Sequence, residues 1–512
     1  MLTDRHVLSR RGVLSGLLGT VATPLMARAP QRSLFPPARP GTREIAGVAS
    51  ASEPLTSRRP LVGLADLLAR SGVSGETALI AIDAETGTVI EEHRPNLLLP
   101  PASTAKAVTA MYALQTLGPE YRFATRVLAQ GGTIEDGTLR GDLVLQGGGD
   151  PVLQTAELAR LADRLIERGL RRVDGRFLVD DTALPTIRQI DEGQPVQAGY
   201  NPAVSGLNLN FNRVHFAWEV RGGRASVSMD ARSDREIPAV STIDMRAVSR
   251  NMPVYTHELR ADRERWTVAS SALGSSGSRW LPVRRPGAYA GDVLRALLMA
   301  RGCRLPEPQS VRNPQGGAIL AEHRSNTLTS IVRGMLRYST NLTAEAVGLA
   351  ATLHSGQSAR SLDRSAERMN AWASAEHGVR GMAFVDHSGL GEGSRVSPRA
   401  MAAYMRSALH QGILPGLLRE HAMRDPQGQR QANHPISVHA KTGTLNFVSA
   451  LSGIAQQHDG RRIVFSIMSA DLSRRRAIRA DASERPAGTR TWTGRARTLQ
   501  QDLIERWGSA QG

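Results

Sequence analysis

Ser103-Thr104-Ala105-Lys106 begins a run of alanine, valine and leucine that extends to Leu117 and is followed by glycine. This pattern predicts a helix from Ser103 to Leu117. Residues i and i+3 share one face of a helix, so the Ser103 hydroxyl and the Lys106 amine can meet. Such a pair suits a serine nucleophile whose proton is taken by a nearby amine. Taken alone the motif is weak, because a capping serine followed by a solvated lysine has the same pattern.

Two further short motifs lie downstream. Lys441-Thr442-Gly443-Thr444 is predicted at the end of a strand, where a glycine leaves room for a substrate at the strand edge. The Lys441 and Thr442 side chains there can hold an anionic group. Ser339-Thr340-Asn341 lies in the link between two predicted helices, where serine and asparagine also serve as ordinary caps. Each motif therefore has a purely structural alternative when it is read alone.

The only two lysines of the chain lie in these motifs. Of its 64 basic residues, all but Lys106 and Lys441 are arginine. Arginine is planar and effectively never deprotonated, whereas lysine is compact and can lose its proton when it is buried. The presence of lysine at these two positions therefore indicates that a side chain is needed there that is compact or can become neutral.

Composition excludes several classes of protein. The 512 residues carry a formal charge of +17 and are 41% hydrophobic, and no apolar run approaches the roughly 20 residues of a membrane span. The single cysteine, Cys303, excludes an intrachain disulfide and a multi-cysteine metal site. The positive charge suits an anionic wall polymer or membrane surface. The low aromatic content of 4% and the lack of zinc-finger spacing argue against nucleic acid as a partner.

The first 60 residues are predicted to lie outside the folded part. Arg10 and Arg11 precede an apolar stretch over 12–26, and Ala27-Arg28-Ala29 has the small-x-small form of a cleavage site. Residues 1–29 are therefore predicted to be a signal peptide, which implies a periplasmic location. The arginine pair fits the twin-arginine pattern, with the ordinary secretory route as the alternative. Residues 30–60, rich in proline, arginine and serine, are predicted to form a flexible leader.

The remaining chain predicts a mixture of helices and strands. Residues 223–290, with short alternating segments, are predicted to form a small β-rich unit. Strands are predicted at 78–83, 88–91, 143–146, 176–179, 207–211, 436–441, 447–453 and 462–467. Further helices are predicted at 156–167, 290–302, 327–338, 342–354, 359–376, 397–410 and 495–507.

Together the three motifs resemble the S-x-x-K, S-x-N and K-T-G set of penicillin-binding proteins and serine β-lactamases. Ser103 and Ser339 lie 236 residues apart, a much longer gap than in single-domain β-lactamases. The chain therefore resembles the class C low-molecular-mass penicillin-binding proteins, the D-alanyl-D-alanine carboxypeptidase/endopeptidase family. The resemblance implies an α/β (α+β) transpeptidase-like fold with an antiparallel sheet flanked by helices, formed by 61–128 plus 325–512. Inserted β-rich domains would occupy 129–324.

Other segments carry the same likeness, and two positions depart from it. The matching segments are 117–123, 147–151, 200–202, 386–390 and Trp507. His387 stands where the family usually has glycine. Pro195 stands where some relatives have an acidic residue that holds the free amine of the substrate's diamino acid, with Asp191 and Glu192 close by. The preferred peptide side chain therefore stays open.

The resemblance implies acyl transfer through a covalent intermediate. Ser103 would attack the carbonyl of the penultimate D-Ala of a peptidoglycan stem peptide, with neutral Lys106 as the base. The backbone N–H groups of Ser103 and Thr444 would form the oxyanion hole. Water would then release the acyl group. A β-lactam, which resembles the D-Ala-D-Ala end, would acylate Ser103 and leave slowly.

The resemblance also implies roles for the other motif residues. Ser339 would pass a proton to the leaving amine, and Asn341 and Lys441 would orient these groups. Thr442, Gly443 and Thr444 would bind the substrate, with its terminal carboxylate received by the two threonines. No cofactor or metal is implied, and the oligomeric state is open. A β-lactamase or esterase on the same scaffold, or a wall-binding protein with a dead site, are the alternatives.

Overall fold

The computed structural model describes residues 63–314, 316–425, 427–431, 433–478 and 484–509. The predicted signal peptide (1–29) and leader (30–60) lie outside the described residues. Within the ranges just given, no helix has the length and apolar character needed to cross a bilayer.

Ten helices lie in the described part of the chain. They are α1 (Leu64–Ser71), α2 (Ala105–Leu117), α3 (Thr155–Glu167), α4 (Pro286–Ala300), α5 (Leu328–Tyr338), α6 (Asn341–His354), α7 (Leu362–His377), α8 (Pro398–His410), α9 (Leu472–Arg476) and α10 (Thr489–Ser509).

The same residues form short and long strands. They are β1 (Glu76–Asp83), β2 (Val89–His93), β3 (Ala124–Gln130), β4 (Ile134–Glu135), β5 (Thr138–Leu139), β6 (Asp142–Gln146), β7 (Arg172–Val173), β8 (Phe177–Asp180), β9 (Arg213–Arg221), β10 (Arg224–Asp230), β11 (Ile243–Val248), β12 (Tyr255–Leu259), β13 (Glu264–Ala269), β14 (Ser276–Pro282), β15 (Pro308–Val311), β16 (Ala318–Arg324), β17 (Met382–Ala383), β18 (Arg395–Val396), β19 (Arg419–Glu420), β20 (Ile436–Leu445), β21 (Val448–Gln457) and β22 (Arg462–Ala470).

An antiparallel sheet with the strand order β19-β20-β21-β22-β1-β2 carries the fold. Helices cover both of its faces, which explains why β1 is apolar at successive positions instead of alternating. Ala78, Ile80 and Ile82 pack into the core around α2. Leu79 and Ala81 point the other way, into the core beneath α1 and α10. The predicted antiparallel sheet flanked by helices is confirmed.

Helix α2 lies at the centre of the helical core. It packs against α5, α6 and α7, and its residues from Ala105 to Leu114 are all buried. A helix that is apolar or small on every side is stable only when other elements surround it. Its first turn is therefore held rigidly in the interior, and Lys106 is held with it.

The chain between 124 and 324 forms further sheets of its own. A five-stranded sheet has the order β15-β8-β6-β3-β16, and α3 and α4 contribute to the core on it. Two three-stranded sheets, β10-β9-β14 and β11-β13-β12, cover most of the predicted β-rich stretch 223–290. The boundary predicted at 128/129 falls inside β3, which pairs with β6 and β16.

The strand predicted at 207–211 is wrong. Residues 210–212 form a short 3₁₀ turn with left-handed backbone angles, a conformation that asparagine tolerates better than most residues. The asparagine side chains bond nearby backbone instead of flanking a strand: Asn208 Oδ1 accepts from Ser205 N at 3.0 Å, and Asn212 Oδ1 accepts from Leu209 N at 3.0 Å. Local side-chain bonds of this kind compete with a strand ladder.

Strand β20 presses against the turn that precedes α2. A Cβ atom added at Gly443 would lie 2.6 Å from the carbonyl oxygen of Pro101 and 3.0 Å from the backbone nitrogen of Ser103. Glycine is therefore needed here so that β20 can contact the turn before α2. From the sequence alone, this glycine is instead predicted to leave room for a substrate. The K-T-G sequence also lies within β20 rather than at its end, because pairing with β21 continues to Leu445.

We expect Gly443→Ala to lower the melting temperature by about 1–3 °C, because overpacking costs about 1–3 kcal/mol. Gly494→Ala is the matched control. Nothing lies within 4 Å of a Cβ added there, and alanine favours the helix by about 1 kcal/mol. Thermal unfolding followed by circular dichroism measures both. A Gly443→Ala protein that melts at the wild-type temperature would show that β20 and the turn can separate without cost.

Candidate active site

Ser103 lies in a 3₁₀ turn, Ala102–Thr104, that leads into α2. The regular helix begins at Ala105, two residues later than predicted. The loop at 386–391 supports this turn from outside, since a Cβ added at Gly389 would lie 1.9 Å from the carbonyl oxygen of Ala102. The hydroxyl is thus fixed on a tightly packed turn at the start of a buried helix.

Lys106 is fully buried, and its amine lies within hydrogen-bond distance of three oxygen atoms. Its Nζ lies 2.9 Å from Ser103 Oγ, 2.7 Å from Asn341 Oδ1 and 2.7 Å from the backbone carbonyl of Ser388. The amide and carbonyl oxygens only accept, so they occupy two N–H bonds of a neutral amine. The remaining lone pair then faces the Ser103 hydroxyl, which is the geometry that a base requires.

Burial lowers the pKa of Lys106 to about 8, against the opposing effect of the negative charges of Glu345 and Asp386. An amine in this range is partly neutral near physiological pH, whereas an exposed lysine is almost wholly protonated. The condition for a lysine base is therefore met.

Asn341, the first residue of α6, is oriented from both ends of its amide. Its Oδ1 accepts from Lys106, and its Nδ2 donates to the backbone carbonyl of Tyr200 at 2.9 Å. Because a carbonyl can only accept, this second bond fixes which end of the amide faces the lysine. The segment around Tyr200 belongs to the stretch between 124 and 324, so that stretch takes part in building the site.

Ser339 and Lys441 form the second serine–lysine pair. Ser339 ends α5 with a left-handed φ of 59°, and its Oγ accepts from Lys441 Nζ at 3.0 Å. Lys441 is 2% exposed and also donates to the Thr442 carbonyl at 2.6 Å. Burial, with the positive charges of Lys106 and Arg419, lowers the pKa of Lys441. The structure thus joins the predicted Ser103, Lys106 and Asn341 by hydrogen bonds. The predicted Ser339 and Lys441 form a second pair, near enough for the charge of Lys106 to act on Lys441.

Thr442 and Thr444 are exposed on β20, while Gly443 between them is buried. Arg497 on α10 places its Nη2 atom 3.4 Å from Thr444 Oγ1. This arginine is absent from the sequence prediction. It falls in the predicted helix 495–507, but the way that helix packs beside β20 depends on the tertiary structure. The edge that carries the two threonines therefore has a cation beside it.

Two buried carboxylates shape the loop that supplies the Ser388 carbonyl. Asp386 Oδ1 accepts from Gly389 N at 2.9 Å, and its Oδ2 accepts from Gly391 N at 2.6 Å. Glu345 on α6 accepts from the backbone nitrogens of His387 and Ser388, both at 2.9 Å. Glu345 was missed from the sequence, although its position four residues after Asn341 puts it on the same helix face.

His387, the departure from the usual glycine, is accommodated behind the site. Its ring is fully buried against Gly348, where an added Cβ would lie 2.2 Å from the ring. Its Nε2 lies 2.8 Å from Ser365 Oγ, and burial lowers the pKa of the imidazole to about 3. The ring is thus neutral, and only the backbone of His387 contacts the groups that support Lys106.

Asp191, one of the two acidic residues near Pro195, has its carboxylate engaged by backbone N–H groups. Asp191 Oδ1 accepts from Gly193 N at 2.7 Å, and Asp191 Oδ2 accepts from Glu392 N at 2.9 Å. A cavity of about 50 Å³ lies next to this contact and holds three arginines and one glutamate. It is lined by Pro100, Glu392, Arg395, Leu472, Arg475 and Arg476. Its charge favours an anionic group over an amine.

In the part of the chain that the structure describes, no group of three or more histidine, cysteine, aspartate or glutamate side chains is placed to hold a metal ion. The donors gathered around Ser103 are instead amines, hydroxyls and backbone groups. Such donors suit proton transfer and the binding of a developing negative charge.

Comparison with known proteins gives one consistent result. The sequence model of the family described as D-Ala-D-Ala carboxypeptidase 3 (S13) matches residues 63–487. The D-alanyl-D-alanine carboxypeptidase of Actinomadura sp. (strain R39) is 26% identical, over 79% of this chain and 79% of its own. Carboxypeptidase DacB of Mycolicibacterium smegmatis is also 26% identical, over 85% of each chain. The crystal structure of penicillin-binding protein 4 from Haemophilus influenzae superposes with a TM-score of 0.69 at 20% identity, covering 86% of this chain and 99% of that one.

Proposed function

The chain belongs to the D-Ala-D-Ala carboxypeptidase 3 (S13) family, and from that premise we propose that it cleaves D-Ala-D-Ala termini or D-Ala cross-links of peptidoglycan stem peptides through an acyl-enzyme on Ser103. It is a serine hydrolase of the DD-peptidase type that binds β-lactams. The observation that carries the proposal for Ser103 is the buried Lys106 amine, whose other two partners leave its lone pair to the Ser103 hydroxyl.

Acylation begins when Ser103 Oγ attacks the carbonyl carbon of the penultimate D-Ala. The hydroxyl proton passes to Lys106 Nζ as the new C–O bond forms. The carbonyl oxygen becomes an oxyanion, which the backbone N–H groups of Ser103 and Thr444 are proposed to receive. The closeness of Gly443 to Ser103 N supports this pairing. One such donor contributes about 10²–10³ in turnover.

The leaving amine must gain a proton as the C–N bond breaks. Ser339 Oγ, hydrogen-bonded to Lys441 Nζ at 3.0 Å, is proposed to deliver it. The proton that Lys106 took from Ser103 then replaces the one that Ser339 gave away, so Lys106 is neutral again. Water attacks the ester, one of its protons passes to Lys106, and Lys106 returns that proton to Ser103 Oγ as the ester bond breaks. Lys106 is thus the base in both halves of the reaction.

Thr442 and Thr444 are proposed to bind the terminal carboxylate of the stem peptide. Both are exposed on the same strand, next to the positive charge of Arg497. A hydroxyl supplies a hydrogen bond and an arginine supplies a charge, and carboxylates bind well to this combination. We add Arg497 to the substrate-binding residues on this ground.

The β-lactamase or esterase alternative has the same motifs and differs in how fast the acyl-enzyme is hydrolysed. The long stretch between 124 and 324, which reaches the site through the Tyr200 carbonyl, favours the peptidase. The alternative of a wall-binding protein without catalytic activity is disfavoured, because Ser103 and the groups that hydrogen-bond around it are all present. The surface arginines are proposed to assist contact with anionic wall or membrane.

Lys106→Met should reduce acylation by benzylpenicillin by about 10²–10⁴-fold, because the base is removed while a side chain of similar length still fills the slot. Lys106→Arg should lose it as well, because arginine stays protonated. Mass spectrometry of the penicilloyl adduct gives the rate, and thermal unfolding checks the fold. Ser103→Ala should give no adduct. A folded Lys106→Arg protein that is acylated at the wild-type rate would disprove the role of Lys106 as base.

Purified muropeptides should lose either the terminal D-Ala or the cross-link when they are incubated with the protein, and mass spectrometry separates these two products. Benzylpenicillin should leave a persistent adduct at one site. Rapid, steady hydrolysis of the penicillin without muropeptide cleavage would favour the β-lactamase. A protein that neither cleaves muropeptides nor forms the adduct would be the dead wall-binding form.

We also propose that the chain is exported to the periplasm by the twin-arginine route. Changing both Arg10 and Arg11 to lysine keeps the charge that the ordinary secretory route requires but removes the signal that the twin-arginine receptor reads. Cell fractionation should find this variant in the cytoplasm and the wild-type protein in the periplasm. Full export of the double variant would instead indicate the ordinary secretory route.

A further inference from the structure

Glu345 is a buried carboxyl group to which the mechanism above gives no role. It lies in the first half of α6, four residues after Asn341, and has no exposed surface. A carboxyl group in such a position is costly unless hydrogen bonds or a nearby cation offset its burial. Its two bonds, both at 2.9 Å, come from the backbone nitrogens of His387 and Ser388.

A single residue connects Glu345 to the catalytic lysine. The backbone N–H of Ser388 donates to Glu345 Oε1, and the backbone carbonyl of the same residue accepts from Lys106 Nζ at 2.7 Å. Glu345 therefore holds the backbone of the residue whose carbonyl accepts from Lys106, and its charge acts on the amine.

The charges packed around these groups are few. Lys106, Lys441 and Arg419 are the cations, and Asp386 is the other acidic group. His387 is neutral, since burial lowers its pKa to about 3.

Glu345 titrates over the same pH range as Lys106. Burial and the charge of Asp386 raise the pKa of Glu345 to about 8, against its hydrogen bonds to the loop and the charge of Lys106. Asp386 also acts on the site, because the Gly389 N–H that it binds belongs to the same peptide group as the Ser388 carbonyl. Of the two acidic groups, Glu345 opposes the effect of burial on the amine more strongly.

We propose that Glu345 is a positioning residue that sets the pH at which Lys106 releases its proton, through the backbone of Ser388 and through its negative charge. This inference deepens the proposed function and rests on Lys106 as the base. Without Glu345, only the charge of Asp386 would oppose the effect of burial, and Lys106 would be a weaker base. With it, the amine stays basic enough to take the Ser103 proton near neutral pH, where general-base catalysis is most effective.

The test uses Glu345→Gln, which removes the charge and keeps the size. Acylation requires neutral Lys106, so in the wild type the rate constant should rise with pH around pH 8, the range in which Lys106 and Glu345 titrate together. Loss of a nearby negative charge lowers the pKa of Lys106, so the midpoint should move down by about 1 pH unit or more. The plateau should also fall, because a weaker base accepts the proton less readily.

Ser365→Ala is the matched control. Ser365 is buried, contacts the same loop through His387 Nε2 at 2.8 Å and carries no charge, so its removal should leave the midpoint unchanged. A folded Glu345→Gln protein with the wild-type midpoint would overturn the proposal, even if its plateau were lower, because Glu345 would then only support the loop.

The two lysines allow a second readout that does not need activity. Protein labelled with [ε-¹³C]lysine should give signals from Lys106 and Lys441 alone, and Lys441→Arg assigns them. The Lys106 signal should titrate at lower pH in Glu345→Gln than in the wild type, and an unchanged titration would overturn the proposal. If wild-type protein is not acylated while this shift is present, the proposed function fails and the link from Glu345 to Lys106 stands.

Glu345→Asp carries the test if Glu345→Gln does not fold. Aspartate keeps the negative charge on a side chain one methylene shorter, so the Lys106 midpoint should stay within about 0.5 pH unit of the wild type. A folded Glu345→Asp protein whose midpoint falls by 1 pH unit or more would show that the charge alone does not hold the lysine, and would overturn the proposal.

Discussion

The burial of the Lys106 amine is the constraint on which the rest of the site depends. An ammonium or amine without partners is costly in the interior, so three oxygen atoms must surround it. Those atoms come from the turn before α2, from the start of α6 and from the loop that follows α7. These segments are far apart in sequence, and the sheet and the helical core hold them within hydrogen-bond distance.

The same contacts that pack the core also shape the site. Gly443 and Gly389 lie so close to the turn of Ser103 that neither position has room for a Cβ atom. The nucleophile is therefore held between a strand on one side and a loop on the other. A third contact comes from the Tyr200 carbonyl, which fixes the amide of Asn341. Packing at these points leaves little freedom for the reacting groups, as a preorganised site requires.

The sequence predicted contacts between residues that are close together in the chain better than contacts between residues that are far apart in it. The serine–lysine pair of α2 follows from helix periodicity. The structure adds Asn341 to it by a hydrogen bond and forms a second pair from Ser339 and Lys441. The part played by Glu345 depends on a loop 42 residues further along the chain. The contact of Arg497 with Thr444 likewise depends on how α10 packs beside β20. Such partners are set by tertiary packing, which short motifs do not encode.

Burial alone does not explain why lysine is kept at two positions. Arg284 is only 5% exposed, and its guanidinium donates to the backbone carbonyls of Arg188, Val196 and Asn201. Arginine is thus tolerated in the interior where carbonyls surround its planar, permanently charged group. The Lys106 amine has three oxygen atoms around it, and one of them, Ser103 Oγ, must give its proton to the amine. Only a side chain that can become neutral meets that condition, so in this chain the choice of lysine over arginine follows from the proton transfer.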